Sequence, residues 1–417
     1  MAKIIFHIDM DSFFVSCERS KNESLNNKPV VIASNSRRAI VTAMSYEVKN
    51  QGFKVGDPFY KIKDKIANLV VIEPHYELYS LMSKKIFKFI QDFFSSKIEI
   101  YSIDECYIDV TDEVKKFHSP IEMAKEIQNK ILEIFKMPCS IGISYTKFLA
   151  KMSTNKAKPF GILETTKKDI KNNFYNLPVN KIFGVGKAIA PKLIHSNINT
   201  YEDLINCEND LLLRSIFGKN YYLFIKDLKG ENTKEHILVS DIKSISNSKT
   251  FMSEDYDDLN VLLNELRAIT INISQRAKDL NLEGKEIAVS IRNQERIWIH
   301  KSKKMAALTN DFDTLFKYVS SLFISMWDDN KIRGLGVALN TLVSIFDDNN
   351  SLDLFANQSK NLVEKIISEN NFAIGKNTLK TLDQYKKEIN ENVENIKFLR
   401  KNTKSYNKKL NLEDEWE

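Results

Sequence analysis

The sequence has no apolar run of membrane-helix length. Its opening, MAKIIFHIDMD, lacks the small-residue cleavage site of a secretory signal. Cysteine is sparse: Cys17, Cys106, Cys139 and Cys207 are scattered, without a CxxC pair. That spacing excludes a disulfide framework and a cysteine zinc site, and fits a reducing, cytoplasmic setting. No internal repeat is found. What remains is 417 residues, 43% hydrophobic and 28% charged, the profile of a globular chain of two to four domains.

The net charge is only +6, but it is unevenly spread. Between Lys136 and Lys192 eleven lysines face two acids, Glu164 and Asp169. This is either a solvated lysine-rich surface or a nucleic-acid grip, and charge alone does not decide between them.

The segment FHIDMDSFF at 6–14 poses a sharper question. Ile4, Ile5, Phe6 and Ile8 read as a strand buried on both faces, and Asp9 and Asp11 interrupt it on one side. Further strands are predicted at 29–33, 39–44, 69–73, 97–103, 106–110 and 139–145. Helices are predicted near 75–94 and 120–136, the second with Ile127, Ile131, Ile134 and Phe135 on one face. From 170 to 230 short helices are expected, then a polar linker over 231–245. A second mixed region follows, with helices at 258–280 and 311–327 and strands at 287–292 and 336–346. The whole reads as an α+β multidomain chain ending in a polar linker and a Lys/Glu-rich tail.

Residues 97–110, KIEIYSIDECYIDV, are two strand-like arms around Asp104 and Glu105. Alone this is a hairpin with an acidic turn. Antiparallel neighbours could bring Asp9 to the same place, and three like charges repel unless a cation neutralises them. An all-oxygen set without His or Cys favours Mg²⁺ or Mn²⁺ over zinc. Two such ions can align a hydroxyl with a triphosphate and stabilise the leaving pyrophosphate. Asp9 is therefore expected to be balanced by metal and not by a basic side chain.

IDMDSFF at 8–14, SYEVKNQG at 45–52, SIDECYIDV at 102–110 and GISYTKFLAKMSTNKAKP at 142–159 together resemble the Y-family, the translesion DNA polymerases, in its bacterial polymerase IV/polymerase V branch. The resemblance runs over about 1–350. It implies a right-hand fold: palm at 1–11 and 77–170, small fingers at 12–76, helical thumb at 171–232, little finger at 240–346, and a linker and tail at 347–417. It implies that Asp9, Asp104 and Glu105, with the Met10 carbonyl, hold two Mg²⁺ ions, Glu105 nearest the primer 3′-hydroxyl. Asp11 would support them. Phe14 would be a steric gate against ribonucleotides, with Phe13 beside it and in part a core residue. Tyr46, Lys49 and Lys158 would hold the incoming dNTP. Ala43, Lys49 and Asn155 depart from the family pattern, and Lys49 lacks the bidentate fork of arginine.

LPVNKIFGVGKAIAPKL at 177–193 reads as a helix–hairpin–helix, in which Gly184 and Gly186 permit a tight turn whose N–H groups, beside Lys187, can meet a DNA phosphate. The alternative is an ordinary glycine turn. Arg292, Arg296, Lys301, Lys303 and Lys304 read as contacts to the phosphate backbone, or as a charged edge. Leu352, Leu354 and Phe355 in SLDLF resemble a sliding-clamp peptide, with Ser351 where glutamine is usual. The expected protein is a monomeric, template-directed DNA polymerase acting on primer–template DNA. A palm-fold nucleotidyl cyclase and a non-catalytic scaffold at stalled forks are the competing readings.

Overall fold

The protein is described from a computed structural model, which covers residues 3–36, 38–232 and 242–346. The chain divides into two units, Met1–Asp241 with Phe251–Glu254, and Ile242–Thr250 with Asp255–Glu417. No helix among the described residues is long and apolar enough to cross a membrane.

In the first unit β1 (Ile5–Met10) turns at Ser12 into α1 (Phe13–Lys21). Next come β2 (Val30–Ile32), β3 (Ala43–Met44), α2 (Tyr46–Lys49), α3 (Tyr60–Lys63) and β4 (Val70–Ile72). The chain continues through α4 (Tyr76–Phe93), β5 (Ile98–Ile100), β6 (Glu105–Asp109), α5 (Pro120–Phe135), β7 (Cys139–Ser144), α6 (Lys147–Ala157) and β8 (Ile162–Glu164). Short helices close the unit: α7 (Ile170–Phe174), α8 (Ala190–His195), α9 (Tyr201–Ile205), α10 (Asp210–Phe217) and α11 (Tyr221–Leu228).

The main sheet has the order β5-β6-β1-β7-β8. β1 is its middle strand, antiparallel to both neighbours, which is why its sequence is apolar throughout and every residue is buried. Phe6, Ile8 and Met10 join one core with Ile86 and Ile90 of α4 and Ile127 and Ile131 of α5. The predicted stripe of α5 differs at one position. The helix ends at Phe135, and its last turn directs Phe135 to the core and leaves Ile134 54% exposed.

On the other face Ile5 packs with Tyr107 and with Ala150 of α6. The approach of α6 is close because β7 carries Gly142, where a Cβ would overlap the Ala150 carbonyl and the Thr154 N–H. The outer side of α6 faces elsewhere: Phe148, Leu149 and Met152 belong to the core of the helical region, with Phe174, Leu193, Tyr201, Leu213 and Leu228.

β3-β2-β4 form a small separate sheet. The strand expected over 39–44 is only two residues long. The chain changes partners inside it: Val41 exchanges backbone hydrogen bonds with Gly56 and Asp57, while Thr42 donates to Ile32.

The second unit holds β9 (Ser244–Thr250), α12 (Leu259–Asp279), β10 (Leu282–Asn293), β11 (Trp298–Thr309), α13 (Phe312–Ile324) and β12 (Ile332–Ser344). Its sheet order is β11-β10-β12-β9, antiparallel throughout. The helices pack on each other and on the sheet, and Ile287, Val289, Leu335, Val337 and Leu339 are buried. β9 begins inside the expected 231–245 linker. It is an edge strand in which only Ile245 is buried, so its sequence SISNSKT carries no apolar signal.

Candidate active site

β1 and β6 pair so that Asp9 lies opposite Glu105, and β7 brings Ser140 to the other side of Asp9. The loop before β6 folds back, its Asp104 carbonyl accepting the Met10 N–H at 2.9 Å. Asp104 is held in turn by the Ser102 hydroxyl at 2.6 Å. Asp9, Asp104 and Glu105 are thus gathered at one end of the main sheet. Strand alternation puts Ile5, His7 and Asp9 on the face covered by α6.

That helix supplies cations. Lys151 Nζ lies 2.6 Å from Glu105 Oε2 and 3.5 Å from Asp9 Oδ2, with both lysine and aspartate almost fully buried. Lys158, the C-cap of α6, puts its Nζ 2.6 Å from Asp9 Oδ1. Lys147 pairs with Glu99 of β5 at 3.0 Å. Asp9 was expected to have no basic partner; two lysines stand against it, so basic side chains share in balancing its charge. Among the described residues no three His, Cys, Asp or Glu side chains converge as a metal cage.

Burial pushes the Asp9 carboxyl up to about 7, against the pull of Lys158. Burial acts in the same direction on Glu105, but the approach of His7 and Lys151 outweighs it and holds Glu105 below the usual carboxylate range. His7 corrects a second expectation, that no histidine lies near the acids. Burial lowers its imidazole to about 4, so the ring is neutral at pH 7. Thr154 Oγ1 lies within hydrogen-bond reach of the His7 and Ala150 carbonyls, and its contact with His7 Nδ1 is 2.9 Å. On the other side of the ring His7 Nε2 lies 3.4 Å from Glu105 Oε2. Both of those atoms are buried without a hydrogen bond; the Lys151–Glu105 contact is an ion pair outside hydrogen-bonding angles. Asp9, Asp104 and Glu105 offer oxygen donors only, the chemistry that suits a hard divalent cation.

Asp11 is committed differently. It accepts from the Tyr46 hydroxyl at 3.1 Å, the Ser140 hydroxyl at 2.9 Å and the Phe160 N–H at 2.8 Å. Its carboxylate therefore ties α2 and the segment after α6 to the end of β1. Lys49 donates to Ser12 Oγ at 2.9 Å and lies 4.3 Å above the Tyr46 ring. Burial, then the neighbouring Lys158, pull its ammonium below the usual lysine range. Beside Ala43 the Thr42 hydroxyl donates to the Ile32 carbonyl at 3.0 Å.

Phe13 and Phe14 part company at the start of α1. Phe13 is 3% exposed and part of the sheet core, in keeping with its reading as in part a core residue. Phe14 is half-buried and stacks on Tyr79, centroids 4.2 Å apart and planes 13° apart. Tyr79 is fixed by donating to buried Glu18 at 2.6 Å, which also meets His75 at 2.8 Å.

In the helical region Gly184 has φ +88° and Gly186 is open to solvent, with Lys187 exposed beside it. A Cβ at Gly184 would stand 2.9 Å from the Phe224 ring. The element before this turn is a single 3₁₀ turn, Val179–Lys181, and Pro191 lies in the first turn of α8, where its missing N–H costs nothing.

The basic cluster of the second unit is not one patch. Arg292 and Lys304 point to the sheet face away from the helices, in register with Trp298 and Glu286. Lys301 and Lys303 lie opposite buried Val289 and Ile287 and turn to α13, reaching Ser325 and the Tyr318 ring. Arg296 sits in the connecting turn with φ +69°. Leu352, Leu354 and Phe355 lie outside the described residues.

Residues 8–155 match the impB/mucB/samB family, and 242–354 its C-terminal domain. The chain is 36% identical to the DNA polymerase IV of Ureaplasma parvum over 82% of its own length and 95% of that protein. It is 31% identical to the DNA polymerase IV of Oceanobacillus iheyensis, covering 87% of each. Among solved structures it is similar to a Y-family DNA polymerase chimera, Dbh-Dpo4(243-245)-Dbh, with a TM-score of 0.73, 26% identity and coverage of 82% of this chain and 99% of that one. It shares its fold with the insertion ternary complex of Dbh DNA polymerase, at a TM-score of 0.59 and 24% identity, over 82% of this chain and 99% of that one.

Proposed function

The chain belongs to the impB/mucB/samB family, the Y-family DNA polymerases, and on that premise we propose that it is a DNA-directed DNA polymerase adding deoxynucleotides to a primer 3′-hydroxyl. The observation that carries the reading is the gathering of Asp9, Asp104 and Glu105 at one end of the main sheet. The family depends on divalent metal. In our reading these three carboxylates and the Met10 carbonyl would hold two Mg²⁺ ions, or Mn²⁺. The bound ions supply Lewis-acid activation of the hydroxyl and neutralisation of the leaving pyrophosphate.

The other roles follow from chemistry. Burial and then the neighbouring Lys158 disfavour the charge on Lys49, and a triphosphate would relieve this. Asp11 fixes the Tyr46 hydroxyl and the Phe160 backbone, and Tyr46 would help hold that anion. The turn at Gly184–Lys187 would meet the phosphate backbone of primer–template DNA; the basic groups Arg292, Arg296, Lys301 and Lys303 are read as phosphate contacts too, although they do not form one patch. Leu352, Leu354 and Phe355 engage a sliding clamp. The polymerase works as a cytoplasmic monomer in translesion synthesis.

The test is primer extension on a defined template with Mg²⁺ and dNTPs. Templated extension is expected, and its absence under any metal or clamp condition would sink the reading. A second test concerns sugar choice. The Phe14 ring is backed by Tyr79, and in our reading it would stand where a 2′-hydroxyl would have to fit. Phe14→Ala is expected to raise ribonucleotide incorporation relative to deoxynucleotide by at least about tenfold, a barrier change of about 1.4 kcal/mol. Unchanged discrimination would remove Phe14 from this role.

A further inference from the structure

Lys158 carries two assignments that exclude each other in time. Its ammonium lies 2.6 Å from Asp9 Oδ1, yet the triphosphate reading requires it for an anion. We propose that Lys158 is an exchangeable counter-ion: it neutralises Asp9 until a divalent cation takes that carboxylate, and the ammonium so released becomes a triphosphate ligand. The inference rests on the polymerase reading of the site and adds a coupling between its two ligands.

The two lysines that face Asp9 differ in the way this requires. Lys151 lies inside α6, its side chain 7% exposed and wedged between Glu105 and Asp9. It has no path to solvent and stays. Lys158 is the C-cap, beyond the last helical residue, with 30% of its side chain exposed. It can swing. Asp9, at 2% exposure, cannot turn outward to choose another partner. A divalent cation bound to Asp9 Oδ1 and an ammonium at the same oxygen repel each other strongly. On the anion side, the Lys49 ammonium is disfavoured by its burial and then by Lys158, so an arriving phosphate would offset this. Cation binding at Asp9 and anion binding at Lys158 therefore favour each other, and by linkage the effect is reciprocal.

The experiment measures Mn²⁺ binding to the full chain without nucleotide, by the electron paramagnetic resonance signal of free Mn²⁺. Binding of inorganic triphosphate is measured alongside it. Lys158→Met is expected to tighten Mn²⁺ at least about fivefold while weakening triphosphate by a similar factor. A merely structural lysine would weaken both or neither. Lys158→Arg, which keeps the charge, should hold Mn²⁺ affinity within about twofold of the parent. Unchanged or weaker Mn²⁺ binding in Lys158→Met overturns the exchange and leaves the polymerase reading intact. Mn²⁺ binding that survives Asp9→Ala unaltered would overturn the metal site itself, and the exchange with it.

Discussion

An Asp104→Ala, Glu105→Ala double variant loses at least about 10³-fold in the rate of single-nucleotide incorporation, a barrier increase of about 4 kcal/mol. The size follows from what the two groups would do. Both would hold metal, and no neighbouring acid can replace them: Asp11 is spent on Tyr46, Ser140 and Phe160, and Glu99 on Lys147. The loss is of chemistry and not of fold. Asp104 is half-buried, its side chain accepts from Ser102 of its own loop, and its backbone bond to Met10 survives the change to alanine. Removing Glu105 leaves Lys151 with Asp9 as its remaining carboxylate, 3.5 Å away. Duplex binding, measured by fluorescence anisotropy at fixed salt, should therefore persist. Incorporation within about tenfold of the parent would take these acids out of the mechanism.

The largest effect on stability is expected at Gly142. Gly142→Val lowers the unfolding free energy by about 3–5 kcal/mol, read from the urea midpoint of the full chain. The reason is contact and not conformation, for Gly142 has ordinary strand geometry. Its missing side chain is the space into which the backbone of α6 settles, and the atoms in the way are the Ala150 carbonyl and the Thr154 N–H. Neither can move without lifting the helix that brings Lys151 and Thr154 to β1. A loss under about 1 kcal/mol would mean that α6 retreats freely.

Much of this is legible in the amino-acid order alone. β1 announces itself because a strand with neighbours on both sides needs no polar face. The interruption at Asp9 is therefore informative. α4 and α5 are legible from their apolar stripes. β9 is not, since an edge strand with one buried residue has no pattern to read. The lysine excess over 136–192 is visible as charge, but a count does not say which way a side chain points. Lys147, Lys151 and Lys158 turn inward to Glu99, Glu105 and Asp9. A clue is present: Lys147 and Lys151 stand four apart on one helix, the spacing of a single face. His7 lies two residues before Asp9, so the strand period places it on the same side, beside the acids. The same two-residue period separates Lys304 from Lys301 and Lys303.

One helix links the regions of the first unit mechanically. α6 gives Lys151 and Thr154 to the sheet, and Phe148, Leu149 and Met152 to the helical core. A tilt of the helical region about this contact is a tilt of α6, and so a displacement of the Lys151 ammonium relative to Glu105. The part that would grip a duplex and the part that would do the chemistry are geared together, and a load on one is transmitted to the other within a single turn of helix.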